Sequence, residues 1–277
     1  MENLSLRIFI FILFANCIYP QFSPGAKQIA LSNSDLAVSD NVFAFFENPA
    51  GLAQITHDEA GVFFSPSPFG MSELKNGYAA FSHPMNFGAI AVGGMIYGFE
   101  LYKETQISLG GSYNYNGRFY IGLVFNYKNF SIKNYGSINA VLFDIGVLTK
   151  LTDNLHFGFC YKNIARASLT SETDELPVQI CSGLSYKIIN TCTVSLAVEK
   201  DIRYKASPRF GIDYAIIKYL SIRTGLSRNP NLYSFGIGIN YSLFNFNYAL
   251  VTHQELGLTH QMGVIISFNK NEGSTNN

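Results

Sequence analysis

The chain of 277 residues has no tryptophan and little charge. Asp, Glu, Lys and Arg make up 14% of it, against roughly a quarter in average globular proteins. Nineteen basic residues cancel nineteen acidic ones, so no field of one sign is present to attract nucleic acid or an anionic surface. Beyond the N-terminus no apolar run reaches the roughly 18 residues that a membrane helix requires. Catalytic patterns are missing as well. There is no nucleophile elbow and no phosphate loop. His57, His83, His156, His253 and His260 sit on separate segments, none with a Cys or an acid at metal-ligand spacing. The carboxylates are scattered rather than paired for acid–base work. These absences argue against an enzyme and predict neither cofactor nor metal.

What is present is aromatic, mildly apolar and alternating. The chain carries 24 Phe and 17 Tyr. From His260 to Phe268, Met262, Val264, Ile266 and Phe268 share one strand face, opposite Gln261, Gly263 and Ser267. The same period-two pattern recurs many times upstream. Phe119, Ile121, Leu123, Phe125 and Tyr127 form one outward row, Val141, Phe143, Ile145 and Val147 a second, and Leu155, Phe157, Phe159 and Tyr161 a third. Phe235, Ile237, Ile239 and Tyr241 stand opposite Ser234, Gly236, Gly238 and Asn240. Asn116-Gly117 is a two-residue hairpin signal. Counting such segments from Glu59 to Phe268 gives about fourteen strands, an even number that an outer-membrane barrel permits. The reading is an all-β protein, an antiparallel transmembrane β-barrel, with lipid around its apolar face and tyrosines at the strand ends as an interfacial girdle. The competing reading is a soluble β-sandwich, which seldom keeps polar–apolar alternation through so many consecutive strands.

Residues 1–20 read as a secretory signal peptide: Arg7 supplies a thin basic region, Ile8–Phe14 an apolar one, and cleavage is expected near Ala15-Asn16-Cys17. Asn16 is a poor fit to a lipoprotein signal, so Cys17 is expected to remain unlipidated. Residues 21–56 read as a short N-terminal helical plug, residues 57–268 as the barrel and residues 269–277 as a polar tail. Within the plug, Asp40 can cap a helix over Asn41–Phe46. Asn48-Pro49-Ala50-Gly51 then stops it, because Pro49 excludes helical geometry at Asn48 and Gly51 permits a sharp turn. Phe43, Phe45 and Phe46 are too apolar for water and are expected inside the barrel mouth.

Asp40, the aromatic run and Asn48-Pro49-Ala50-Gly51-Leu52-Ala53 together resemble the N-terminal signature of the PorV/PorQ family, within the FadL-like superfamily of long-chain fatty acid transporters. Phe143-Asp144-Ile145-Gly146, Leu155-His156-Phe157-Gly158 and Asn163-Ile164 resemble its paired strands. Leu176-Pro177 before Gly183-Leu184-Ser185-Tyr186, and Thr259-His260 before Val264–Phe268, resemble its later ones. The resemblance implies an outer-membrane location in a Gram-negative bacterium. It also implies a part in type IX secretion, with secretion-system proteins or exported proteins as partners. The alternative is FadL-like passive transport of hydrophobic small molecules. That reading expects an apolar pocket lined by Phe43, Phe45 and Phe46, and a lateral opening where Gly93 and Gly94 kink a strand. A third reading is a barrel without transport.

The alternation places Asp144, Lys150, His156, Lys162, Glu199, Asp213 and Arg223 toward the lumen. Mutual pairing is the expected state of such charges; a permeation path is the sharper one. A continuous apolar tunnel would favour import, and a lumen filled by paired charges an adaptor or scaffold. A hairpin folding about Thr170 and Ser171 sets Cys160 opposite Cys181, within reach of a disulfide in an oxidising compartment, although opposed cross-strand bridges are strained.

Overall fold

A computed structural model describes residues 24–169 and 175–268. The signal segment, Cys17, the acidic loop residues Glu172 and Asp174, and the tail after Phe268 lie outside the described residues. Alternating segments become fourteen antiparallel strands: β1 (Glu59–Ser65), β2 (Asn76–Met85), β3 (Gly88–Gly98), β4 (Tyr102–Tyr115), β5 (Phe119–Ile132), β6 (Gly136–Lys150), β7 (Leu155–Lys162), β8 (Gln179–Ile189), β9 (Cys192–Asp201), β10 (Ser207–Ile217), β11 (Leu220–Ser227), β12 (Leu232–Tyr241), β13 (Phe244–His253) and β14 (Gly257–Ser267). Each pairs with its sequence neighbour, and β1 closes on β14 from Glu59↔Ser267 to Phe64↔Met262. Closure gives every strand a partner on both sides, the condition for strands to cross lipid, and β6 outward of Ile145 stands beside a single strand, β5.

Outward rows stay exposed as the alternation requires: Ile107, Leu109, Leu123, Phe143, Leu196 and Ile237 all face away from the lumen. A wall so apolar on its outside is stable only in a bilayer, and the protein is an outer-membrane β-barrel. The connections 86–87, 116–118, 151–154, 190–191, 218–219 and 242–243, none longer than four residues, lie at one end, whereas the long connections 66–75 and 163–178 lie at the other. Phe268 N–H donates to Asp58 C=O at that same end, so both barrel termini lie there. Short turns and termini mark the periplasmic side. Tyr115, Tyr186, Tyr219 and Tyr241 form an exposed aromatic belt near it.

Several strands run further outward than alternation predicts. β4 begins at Tyr102 rather than Gln106, β5 continues past Tyr127 to Ile132, and β6 begins at Gly136 rather than Val141. Above the bilayer the outward positions become polar (Lys103, Asn129, Ser131, Ser137, Asn139), so the apolar signal stops while the hydrogen-bond ladder continues.

The plug fills the lumen. It comprises α1 (Ala26–Ala30), α2 (Ala44–Glu47) and a 3₁₀ turn over Pro49–Gln54. The expected helix over Asn41–Phe46 is shorter and begins later. Asp40 does not cap it, because its carboxylate is taken by Lys27 Nζ at 2.7 Å. The side-chain cap belongs instead to the following 3₁₀ turn, where Asn48 Oδ1 accepts from Ala50 N–H. Phe43 and Phe45 are buried against Phe63 of β1 in the main apolar cluster.

A band of small residues on the lumen face explains how a peptide segment fits inside. Gly61, Ala80 and Gly93 are register partners across β1–β3. So are Gly122 and Gly146, then Gly158, Gly183 and Ala197, Gly211 and Gly225, and Gly236 and Ala249. A Cβ on Gly122 would stand 2.4 Å from Pro49 C, one on Gly158 2.6 Å from Leu36 O, and one on Gly225 2.4 Å from Leu31 C. Carbon atoms ordinarily approach to about 3.5–4.0 Å, so only hydrogen fits between plug backbone and wall.

Candidate functional site: the lumen between plug and wall

The sequence-predicted lumen residues divide into separate groups. Asp213 and Arg223 face each other across β10 and β11, and Arg223 Nε donates to Asp213 Oδ1 at 3.1 Å. The guanidinium also donates to Asn247 Oδ1 at 2.7 Å. Glu199 pairs with Arg209 of the next strand at 2.8 Å. Asp144 is held by Asn126 Nδ2 on Oδ2 (2.7 Å) and by Asn163 N–H on Oδ1 (2.8 Å). Lys150 lies over the Tyr120 ring near the periplasmic mouth, with half-buried His156 as its strand partner. Cys160 and Cys181 are direct partners across β7 and β8, both buried under Leu36. Both are free thiols, so the disulfide that the sequence allowed is not formed.

Lys162 links two spaces. The larger, about 60 Å³, is bordered by Phe46, Tyr78, Gln106, Asn126, Lys128, Leu142 and Asp144. The smaller, about 10 Å³, is bordered by Asn33, Glu47, Cys181, Glu199 and Arg209. An apolar cavity of about 150 Å³ admits benzene, so the larger space holds water but no aromatic ring without movement. The expected pocket lined by all three plug phenylalanines is therefore not found. Phe46 borders the space, while Phe43 and Phe45 are packed solid. No lateral opening forms at Gly93 and Gly94 either. Both keep continuous register with Ala80 and Ala79 and with Ser108 and Ile107. Gly93 serves instead to admit Phe45 and Phe46, whose rings would lie within 2.9 Å of a Cβ.

The plug carries two buried carboxyls. Burial, then the neighbouring Glu47, pushes Asp35 well above the usual carboxyl range. Burial also raises Glu47, against an opposing hydrogen bond from Ser39 Oγ at 2.9 Å. Both Asp35 oxygens and Glu47 Oε1 have no partner among the described residues.

Above the larger space, on the outer side, lies an apolar shelf. Phe130, Ala140 and Leu142 point inward from β5 and β6 and are covered by Leu176, with Tyr102, Ala167 and Leu169 packed around them. Ile132 and Ile138 continue the same inner face upward and are exposed. Asn163 pins the covering loop. Its backbone is left-handed (φ 55°), its Nδ2 donates to Leu176 C=O at 3.1 Å, and its Oδ1 accepts from Ala167 N–H at 2.9 Å. Periodicity missed this site. Lys128 and Phe130 lie beyond the last strand residue that alternation marks, and Leu142 falls on the face read as polar. Asn163 and Leu176 did carry a signal, as parts of the family-like motifs.

Closed strand order, fourteen strands and an N-terminal segment inside the lumen are features of the fold that solved structures can be compared with. The Pseudomonas putida toluene transporter TodX superposes with a TM-score of 0.67 at 13% identity, covering 89% of this chain and 99% of TodX. The Ralstonia pickettii toluene transporter TbuX gives 0.64 at 11%, covering 90% and 98%. A Pseudomonas aeruginosa FadL homologue gives 0.63 at 11%, covering 88% and 98%. This chain thus has the FadL-like fold. No protein-family profile and no curated protein sequence matches it.

Proposed function

We propose that the barrel passes small hydrophobic molecules across the outer membrane passively, without catalysis, and captures them on the apolar shelf. The observation that carries this reading is the exposed inner pair Ile132 and Ile138, which extends the buried Phe130 and Leu142 toward the outer mouth. Apolar surface turned toward the outer mouth gains free energy when a hydrophobic solute covers it, at roughly 25 cal/mol per Å². Leu142 belongs both to the shelf and to the border of the larger space, so the path continues toward Phe46 and Tyr78. The fold likeness to two toluene transporters supports the same direction. Entry to the narrow space requires the Leu176 segment or the long Lys128 and Lys162 side chains to move. The test is binding of a polarity-sensitive hydrophobic fluorophore to the refolded protein. Leu142→Arg combined with Phe130→Ser is expected to weaken binding about tenfold, equivalent to about 1.4 kcal/mol. Unchanged binding would exclude the shelf as the capture site.

A second reading rests on a different observation. The plug is seated backbone against wall, and Glu199–Arg209 and Asp213–Arg223 are paired across the inner face, which leaves little room for any solute. That arrangement suits a PorV/PorQ-like barrel that contacts secretion-system proteins or exported proteins through its rim. Deletion of the gene is then expected to impair secretion of proteins bearing a C-terminal sorting domain. Normal secretion in the deletion strain counts against this role.

A further inference from the structure

Charge that balances over the whole chain does not balance at the periplasmic mouth. Arg118, Lys150, Lys187 and Lys218 sit at the bases of four successive hairpins, β4–β5, β6–β7, β8–β9 and β10–β11. Backbone hydrogen bonds tie each turn to the next hairpin: Lys150 N–H to Arg118 C=O (2.8 Å), Lys187 N–H to Asn154 C=O (2.9 Å) and Ala215 N–H to Thr191 C=O (2.8 Å). Adjacent strands lie about 4.8 Å apart, so the four cations stand about 10 Å from one another along an arc of roughly 30 Å. None of the four has a carboxylate partner among the described residues. Lys150 and Lys218 lie instead over the rings of Tyr120 and Tyr219.

Other carboxylates near this end are already engaged. Asp58 meets His83 at 2.6 Å, Glu59 meets His57 at 3.0 Å, and Asp40 meets Lys27 at 2.7 Å. β1, which carries Glu59, lies across the barrel from β8. Asp153, in the turn after β6, is the acidic residue within the arc. The mouth is thus basic over the β4–β11 sector.

We infer that this arc docks an acidic segment of a periplasmic polypeptide. Spacing near the Debye length of about 10 Å at 0.1 M salt lets neighbouring cations act together on an extended anionic chain. Orientation of the central Lys150 and Lys187 selects a soluble partner over a lipid headgroup, whereas Lys218 lies over Tyr219 of the exposed belt. Lys150 and Lys187 share the lumen-side parity of Gly146, Gly183 and Ser185, so they overhang the mouth and not the surrounding leaflet.

The test uses the full mature chain in nanodiscs of zwitterionic lipid, with a fluorescent oligoglutamate peptide followed by anisotropy. At low salt, Arg118→Gln, Lys150→Gln, Lys187→Gln and Lys218→Gln together are expected to weaken binding at least about tenfold. Neutralising the outer-rim Lys103 and Lys205 is expected to leave it unchanged. Arg118→Glu, Lys150→Glu, Lys187→Glu and Lys218→Glu together are expected to transfer binding to an oligolysine peptide, a gain that a misfolded barrel cannot produce. Equal losses from the two rims, or undiminished binding in the periplasmic-rim variant, would overturn the inference. So would loss of peptide binding once anionic lipid is added to the nanodisc, because headgroups would then occupy the arc.

Discussion

Substituting Gly122 by alanine tests how the plug is held. The added Cβ would lie 2.4 Å from Pro49 C and 2.5 Å from Ala50 N, both backbone atoms with no rotamer to escape into. Restoring ordinary contact requires the plug to retreat by roughly 1 Å. Overpacking of this kind costs about 1–3 kcal/mol. The retreat also stretches the bonds from Asn48 Nδ2 to Leu36 C=O (3.0 Å) and Val147 C=O (3.1 Å), the second of which ties plug to wall. Each lost bond costs about 1 kcal/mol. Undocking of the Asn48–Leu52 segment should therefore become easier by about 2–5 kcal/mol, a rise of roughly thirtyfold or more in the open population. Hydrogen exchange at Ala50 to Leu52 reads that population directly. Gly111→Ala is the control: it lies on the outer face of β4, and its Cβ would meet nothing closer than Ala89 O at 3.5 Å. Barrel closure, read by heat-modifiable gel migration, should survive both changes. Equal exchange in the two variants would refute the claim that the plug is wedged against a glycine-lined wall.

The remaining expectations concern buried charge. Arg223→Met removes the partner of Asp213 and of Asn247 at a site where the arginine side chain is 5% exposed, and should destabilise the barrel by about 3–5 kcal/mol; pairing it with Asp213→Leu should recover much of that loss in a denaturant titration. Asp35 and Glu47 hold protons in the folded chain at pH values where the unfolded chain has released them. Their contribution to stability is therefore complete below the unfolded value of about 4 and is lost as pH rises through the elevated folded values. Asp35→Asn with Glu47→Gln should flatten the fall in melting temperature as pH rises above about 4. A slope equal to wild type would assign the pH dependence to other groups.

Period-two alternation was enough to reveal the barrel, its lipid-facing rows and the approximate number of strands. Lipid imposes one constraint at every outward position, so Leu123, Phe143 or Ile237 reports its direction locally. The inward face has no such uniform rule. Whether Asp144 meets a lysine or an asparagine depends on strand stagger, and the structure gives it Asn126 and Asn163. Glycine is equally silent in sequence. A strand glycine permits either tight curvature or the close approach of another element, and Gly93 takes the second course by admitting Phe45 and Phe46 across the lumen. The shelf was hidden for a related reason. Phe130, Ile132 and Ile138 stand above the bilayer, where apolar residues point inward and polar ones outward, the reverse of the pattern within it. Sequence therefore determined which side of each strand meets lipid, through a solvent that acts on every strand alike. Only the closed tertiary structure decided what faces what across the lumen, because those contacts arise from shear, register and a plug whose fit is set by the hydrogen atoms of distant glycines.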